Sequence, residues 1–255
     1  SSQTASVAAR WAERLLAFCG ERTEDGAGFP LDARLRPYGS SGALASPLEA
    51  LREYFESENS GFAAWERQAL TRARFAAGDG EAGARAMALA RGAAFPDVWR
   101  ASWSDELKHI KKRVEKERGA KGEVFDLKMG RGALADIEWA AQWLAMKHGA
   151  RFPAMQTPST RGQLGAARDA ELLSESEWKS LDEAYTWLRR AELRLQIAQE
   201  GGATTARRGS VQAALWARAA FPGLENGAAT ARFESEWTMH TARAREVFER
   251  VRDEL

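Results

Sequence analysis

The residues of this 255-residue chain best placed to do chemistry begin with Asp32, Arg34 and Arg36. They alternate with Phe29, Leu31, Ala33 and Leu35 across Gly28–Pro37. That period of two predicts a half-buried strand with the charged set on one face. A carboxylate flanked by guanidinium groups suits a metal–phosphate site, because the acid holds a hard cation while the guanidinium groups neutralise phosphate oxygens. The loop Tyr38-Gly39-Ser40-Ser41-Gly42 follows directly and offers N–H groups and hydroxyls to an anion. The alternative is a strand whose solvent face is merely charged.

A second cluster runs from Phe125 to Trp139. Lys128, Gly130, Arg131 and Gly132 form a basic, glycine-containing loop that leads into a helix carrying Asp136 and Glu138 in its first turn. Helix N-termini attract anions, and glycines let a phosphate approach the backbone. A well-started helix after a surface loop explains the same residues, and the spacing is not that of a Walker loop. In a third cluster, over Trp65–Arg74, Arg67 and Arg74 are seven residues apart and share a helix face, where they could clamp phosphate. A solvated basic helix is the competing explanation. The charged run Lys108–Arg118 reads as the exposed face of a long helix, since Glu115 and Glu117 dilute it.

The elements that must position these residues are mostly helices, because Ala, Glu, Arg and Leu dominate and β-branched residues are few. A helix over about Ala5–Cys19 places Val7, Trp11, Leu15 and Phe18 on one stripe. Ser46-Pro47-Leu48-Glu49 starts another that runs to about Ser57, with Ser46 as cap and Pro47 in the first helical position. Further helices are expected over Ala63–Ala77, from a Ser102–Asp105 cap through Lys116, and over Asp136–Lys147. Two more follow, from a Ser174/Glu177 capping box to about Gln199 and over Phe233–Val251. Gly201-Gly202 and Pro222-Gly223 mark loops.

Composition narrows the function classes. Lys and Arg number 37 against 36 Asp and Glu, so the formal charge of +1 argues against a nucleic-acid coat or a binder of acidic lipid. No run approaches the length of an apolar membrane span, and no secretory signal is visible. One cysteine, Cys19, permits no internal disulfide and fits a reducing cytoplasm; three scattered histidines make no metal centre. The chain does not start with methionine, so a piece of something longer is expected.

The clusters, taken in order, carry a family likeness. Leu31–Leu44, reading LDARLRPYGSSGAL, resembles the VDLRLRPSGSSGPL segment of glutamine-synthetase adenylyltransferases. WERQALTRAR over Trp65–Arg74 follows as in that family, and DLKMGRGALADIEW over Asp126–Trp139 resembles its KxGxGGLxDIEF signature. Ala191–Ala198 and His240–Arg250 are similar to its closing helices.

The resemblance implies an α+β, mostly helical fold. A truncated nucleotidyltransferase domain of the DNA-polymerase-β type would occupy residues 1–100, and an all-α helical bundle residues 101–255. Such enzymes move AMP from ATP to a tyrosine of glutamine synthetase, or remove it by phosphorolysis, with two Mg²⁺ (or Mn²⁺) ions on three carboxylates. Asp32 matches the third carboxylate, while Arg34, Arg36, Ser40 and Ser41 would lie beside the nucleotide phosphates. Lys128, Arg131, Asp136 and Glu138 would face the same cleft from the helical side. The family's Asp-x-Asp pair after a Gly-Ser turn has no counterpart before Asp32, and Glu24-Asp25 sits in a turn too close to the strand. The chain alone is therefore expected not to transfer AMP. Its closing helix suits the C-terminal, transferring copy of the family's tandem unit.

Three readings follow from the resemblance. One is an adenylyltransferase acting on glutamine synthetase. Another is a catalytically silent homologue that binds the synthetase or a PII-type signal protein, and the third is a uridylyltransferase of the same superfamily. All three imply a cytoplasmic protein with no nucleic-acid or membrane partner.

Overall fold

The computed structural model describes residues 2–24, 26–28, 31–118, 123–198 and 204–255. Asp25, Phe29, Pro30 and the expected Gly201-Gly202 loop lie outside the described residues. The chain divides into two compact units, Ser1–Ala94 and Phe95–Leu255. Among the described residues the architecture is α+β and mostly helical, with ten α-helices and two small antiparallel ladders.

The first unit contains α1 (Ser2–Gly20), a ladder of β1 (Arg22–Thr23) with β2 (Gly26–Ala27), α2 (Leu48–Glu56), α3 (Ala64–Leu70) and α4 (Gly80–Ala94). Its small core forms where α4 packs on α2 and α3, with Tyr54, Ala64, Ala90, Ala93 and Ala94 buried. Alanines on the buried face of α4 allow this close approach.

Three expectations are corrected in this unit. The strand over Gly28–Pro37 is not formed among its described residues, where residues 31–36 carry no ladder hydrogen bonds. A strand exists only against a partner, and β1 and β2 pair with each other. Leu31 and Leu35, the expected apolar face, are exposed. The helix over Ala63–Ala77 ends at Leu70, because the backbone tightens into three-residue turns. Thr71 N donates to Gln68 O at 3.2 Å and Ala73 N to Leu70 O at 2.9 Å, while the Thr71 hydroxyl also donates to Gln68 O. The α1 stripe forms but is uncovered, with Trp11 67% and Phe18 76% exposed. At α2, Pro47 stands just outside the helix and Ser46 supplies no cap.

The second unit contains α5 (Ala101–Arg118), β3 (Val124–Asp126), α6 (Leu134–His148), α7 (Thr160–Asp169), α8 (Glu175–Ala198), β4 (Thr205–Arg207), α9 (Val211–Ala220) and α10 (Asn226–Glu254). α10 packs on α6, α8 and α9, and its buried Phe233, Trp237, Val247, Phe248 and Val251 follow the expected helical spacing. Phe125 meets the edges of Phe233 and Trp237 at 5.2 and 5.3 Å between ring centres. The Ser174/Glu177 capping box is present: Ser174 N donates to Glu177 Oε2 at 2.8 Å, and Glu177 N to Ser174 Oγ at 3.3 Å. Ser102–Asp105 lies inside α5 rather than ahead of it, since the helix opens at Ala101. The bundle is also not purely helical, because β3 pairs antiparallel with β4, Val124 opposite Arg207. Among the described residues no helix is long and apolar enough to cross a membrane.

Candidate functional site

In the first unit the chemistry-bearing loop is organised by its own arginines. Arg34 Nε donates to both carboxylate oxygens of Asp32 at 2.9 Å, and Arg34 N donates to Asp32 Oδ1 at 3.0 Å. Both side chains are exposed. Arg36 acts differently, donating to three backbone carbonyls: Ala33 O at 2.6 Å, Gly42 O at 2.8 Å and Ser40 O at 2.9 Å. It fastens the two ends of the turn that carries Ser40 and Ser41, which form a short 3₁₀ turn and stay exposed. Tyr38, left-handed at φ 63°, packs its ring edge-on against Tyr54 at 4.8 Å. Tyr54 Oη in turn donates to Glu66 Oε1 at 2.8 Å, which ties the turn to α2 and α3. Burial first, then that bond, push the Tyr54 phenol up to about 12, so it remains a donor.

Hydrogen bonds from the Arg34 side chain first, and from its backbone, lower the Asp32 carboxyl from 3.8 to about 2. Arg34→Gln is expected to move the Asp32 titration back toward 3.8, read by NMR of the side-chain carboxyl. The sign follows from linkage: the folded value is depressed, so the stabilisation from this pair is complete above the unfolded value. It fades as pH falls toward about 2. An unchanged titration would show that Arg34 does not hold the acid.

Arg67 and Arg74 are not brought together on a helix face, because α3 stops at Leu70 and Arg74 lies beyond it, exposed. Arg67 Nη1 donates to Ala93 O at 2.7 Å near the end of α4, and its guanidinium lies 4.4 Å from the centre of the Phe62 ring.

In the second unit the glycine turn leads into α6, which opens at Leu134, two residues earlier than the spacing predicts. Asp136 therefore lies in the first turn and Glu138 beyond it. The amides of the turn are used internally: Lys128 N and Met129 N donate to Asp126 Oδ1, Gly130 N to Asp126 O, and Gly132 N to Asp136 Oδ2 at 2.7 Å. Leu134 N and Ala135 N donate back to Leu127 O and Lys128 O. An anion here would thus meet side chains, Lys128 and Arg131, both exposed, rather than backbone N–H groups. The glycines serve packing. Gly132 sits at φ +71°, and a Cβ there would stand 1.8 Å from Thr241 O of α10. Gly132→Ala is expected to cost about 2–4 kcal/mol in chemical unfolding. A cost of a few tenths would show that α10 can retreat.

Asp136 is 1% exposed and is the centre of a buried ionic cluster. It accepts from Lys111 Nζ of α5 and, at 2.9 Å, from Arg245 Nη1 of α10. Arg245 also donates to Glu115 Oε1 at 2.6 Å and to Glu249 Oε1 at 2.7 Å, and Arg131 Nη2 reaches Glu249 at 3.0 Å. Burial alone would lower the Arg245 guanidinium, but its bonds to Glu115 and Asp136 raise it above the ordinary value. Glu138 accepts from Arg189 of α8, so this acid joins two helices. Lys111 and Arg245 had no local signal for this role in sequence, because their shared partner Asp136 lies 25 and 109 residues away.

The described residues contain no group of three or more His, Cys, Asp or Glu side chains able to hold a metal ion. Asp32 is a lone carboxylate already engaged by Arg34, so this loop does not by itself fit a two-metal site, which needs several carboxylate oxygens.

Residues 1–89 match the family model described as Glutamate-ammonia ligase adenylyltransferase, and residues 108–252 match the model of GlnD PII-uridylyltransferase. Several similar proteins bear the name bifunctional glutamine synthetase adenylyltransferase/adenylyl-removing enzyme. The one from Streptomyces coelicolor is 39% identical over 158 residues, covering 61% of this chain and 16% of that protein. The one from Burkholderia mallei is 34% identical over 229 residues, covering 85% and 24%. For Thioalkalivibrio sulfidiphilus the match is 32% over 191 residues, covering 75% and 19%. The chain spans 16% to 24% of the length of these three relatives.

Proposed function

The chain belongs to the glutamine synthetase adenylyltransferase family, its helical unit matching the PII-uridylyltransferase model, and from there we propose that it is a nucleotidyltransferase segment serving AMP transfer to glutamine synthetase. The substrate is ATP, and the acceptor is a tyrosine hydroxyl of the synthetase. The new bond joins that oxygen to the α-phosphorus as pyrophosphate leaves and the hydroxyl proton is lost; phosphorolysis runs the corresponding removal with inorganic phosphate.

The observation that carries this reading is the preformed Asp32–Gly42 turn. It presents an exposed, fully ionised carboxylate beside a guanidinium, followed by two exposed hydroxyls. Asp32 would be this chain's one ligand for Mg²⁺ or Mn²⁺, with Arg34, Ser40 and Ser41 toward the phosphates. Arg36 would hold the turn in shape. Lys128 and Arg131 are exposed cations of the helical unit that this reading assigns to nucleotide phosphate. Asp136 and Glu138 would support that region through the cations they bind. Glutamine synthetase is the proposed partner, with a PII-type signal protein as a second.

The chain alone is proposed to be inactive, since no Asp-x-Asp pair precedes Asp32. The test reads the coding DNA upstream of Ser1 and assays any extended product with labelled ATP and glutamine synthetase. A Gly-Ser turn with Asp-x-Asp and labelled synthetase would support transfer. A start codon there would leave the silent binder, and labelling by the 255-residue chain itself would overturn the inactivity. The match of residues 108–252 favours uridylyl transfer as the second reading, and competition between ATP and UTP decides between them.

A further inference from the structure

The buried cluster around Asp136 has a solvent-facing side, and there the balance of charge changes. A cleft of about 410 Å³ opens between α5, the Gly130–Gly132 turn and α10. Six cations line it: Lys108, Lys111 and Lys112 of α5, Arg131 of the turn, and Arg245 and Arg252 of α10. On α5 they stand at spacings of three and four, and on α10 at seven, so each helix offers a single face. Only two carboxylates, Glu115 and Glu249, share the lining. The lining is four charges positive, and two remain when Asp136 beneath it and Asp253 on its rim are included.

The ion pairs show which of these cations the fold itself uses. Lys111 and Arg245 are held by Asp136 and Glu115, Arg131 by Glu249, and Arg252 by Asp253 on the rim. Lys108 and Lys112 have no ion pair among the described residues. Lys108 acts only at a distance, as a minor cause, after Arg252, of the lowered Asp253 carboxyl. Like charges four residues apart on a helix destabilise it, so the pair costs the fold something. Two ammonium groups with no ion pair among the described residues, standing before a charge-balanced cluster, raise the local potential and concentrate anions.

We propose that this cleft binds a condensed-phosphate group, a chain of two or three phosphates either free or carried by a nucleotide. Lys108 and Lys112 of α5, Arg131 of the turn and Arg252 of α10 converge from three elements on a compact space, which suits a small polyanion with several charges better than an extended acidic segment. The site lies wholly in the second unit and needs no part of the Asp32 turn; it shares Arg131 with the transfer reading, and the test varies Lys108 and Lys112, which that reading does not use.

The test titrates the chain with pyrophosphate and tripolyphosphate by calorimetry, with monophosphate and ATP as comparison arms. Saturable binding of pyrophosphate is expected, weaker for monophosphate, and reduced at least about tenfold in Lys108→Glu/Lys112→Glu. Lys108→Ala/Lys112→Ala, with thermal unfolding unchanged, decides the matter if charge reversal harms folding. Tighter ATP than tripolyphosphate binding, also lost in these variants, assigns the group to a nucleotide; equal affinities assign a free condensed phosphate. Absence of saturable binding, affinities unmoved in both variants, or binding of an acidic peptide in place of pyrophosphate overturns the proposal. None of these readouts depends on AMP transfer, so failure here and failure of the transfer reading are separable.

Discussion

Asp136→Ala is expected to cost the helical unit about 3–5 kcal/mol, the loss typical when one partner of a buried ion pair is removed. Lys111 is 3% exposed at its side chain and Arg245 10%, so neither cation can turn to water. The cluster holds three carboxylates, of Asp136, Glu115 and Glu249, against Lys111, Arg245 and Arg131. Without Asp136 it keeps one unbalanced positive charge, and Gly132 N–H loses its acceptor as well. Urea unfolding followed by fluorescence of buried Trp143 measures the loss. Asp136→Asn should lose less, because an amide oxygen can still accept from Gly132. A loss below about 1 kcal/mol would put the cluster in the class of surface pairs and refute its role as the tie between α5, α6 and α10.

The second large effect is on activity. In an extended chain that transfers AMP, Asp32→Asn is expected to lower the rate about 10²–10³-fold, the scale for removing one charge-stabilising group from a phosphoryl-transfer site. Stability should be essentially unchanged, since the side chain is exposed and its partner among the described residues is exposed Arg34. Steady-state rates at saturating ATP, with unfolding measured in parallel, separate the two. Full activity in Asp32→Asn would remove this residue from the chemistry.

The contrast between these two aspartates shows what the sequence made legible. Elements fixed by local rules were readable: the Ser174/Glu177 box, the periodic faces of α8 and α10, and the glycine turn before α6 all depend on residues a few positions apart. Features that depend on a distant partner were not. The alternation at Leu31–Arg36 describes a strand in pattern, but a ladder needs a second chain segment, and among the described residues none pairs with it. The three-residue ladder of β3 with β4 is too short for periodicity to register. Asp136 looked like a helix-dipole acid or a cleft residue, because nothing near it in sequence announces Lys111 or Arg245. Arg36 looked like a phosphate ligand from its spacing alone, whereas its three carbonyl partners make it a fastener of the turn.

The uncovered stripe of α1 bears on motion. Val7, Trp11, Leu15 and Phe18 are all exposed, so this nineteen-residue helix draws little cohesion from packing and relies on its own backbone bonds. Helices of that kind open locally at low free energy, whereas α6, buried along most of its length, opens only with its whole unit. The same polypeptide therefore spans two regimes of breathing, a loosely held amino-terminal rod and a helical body whose amides are shielded until it comes apart.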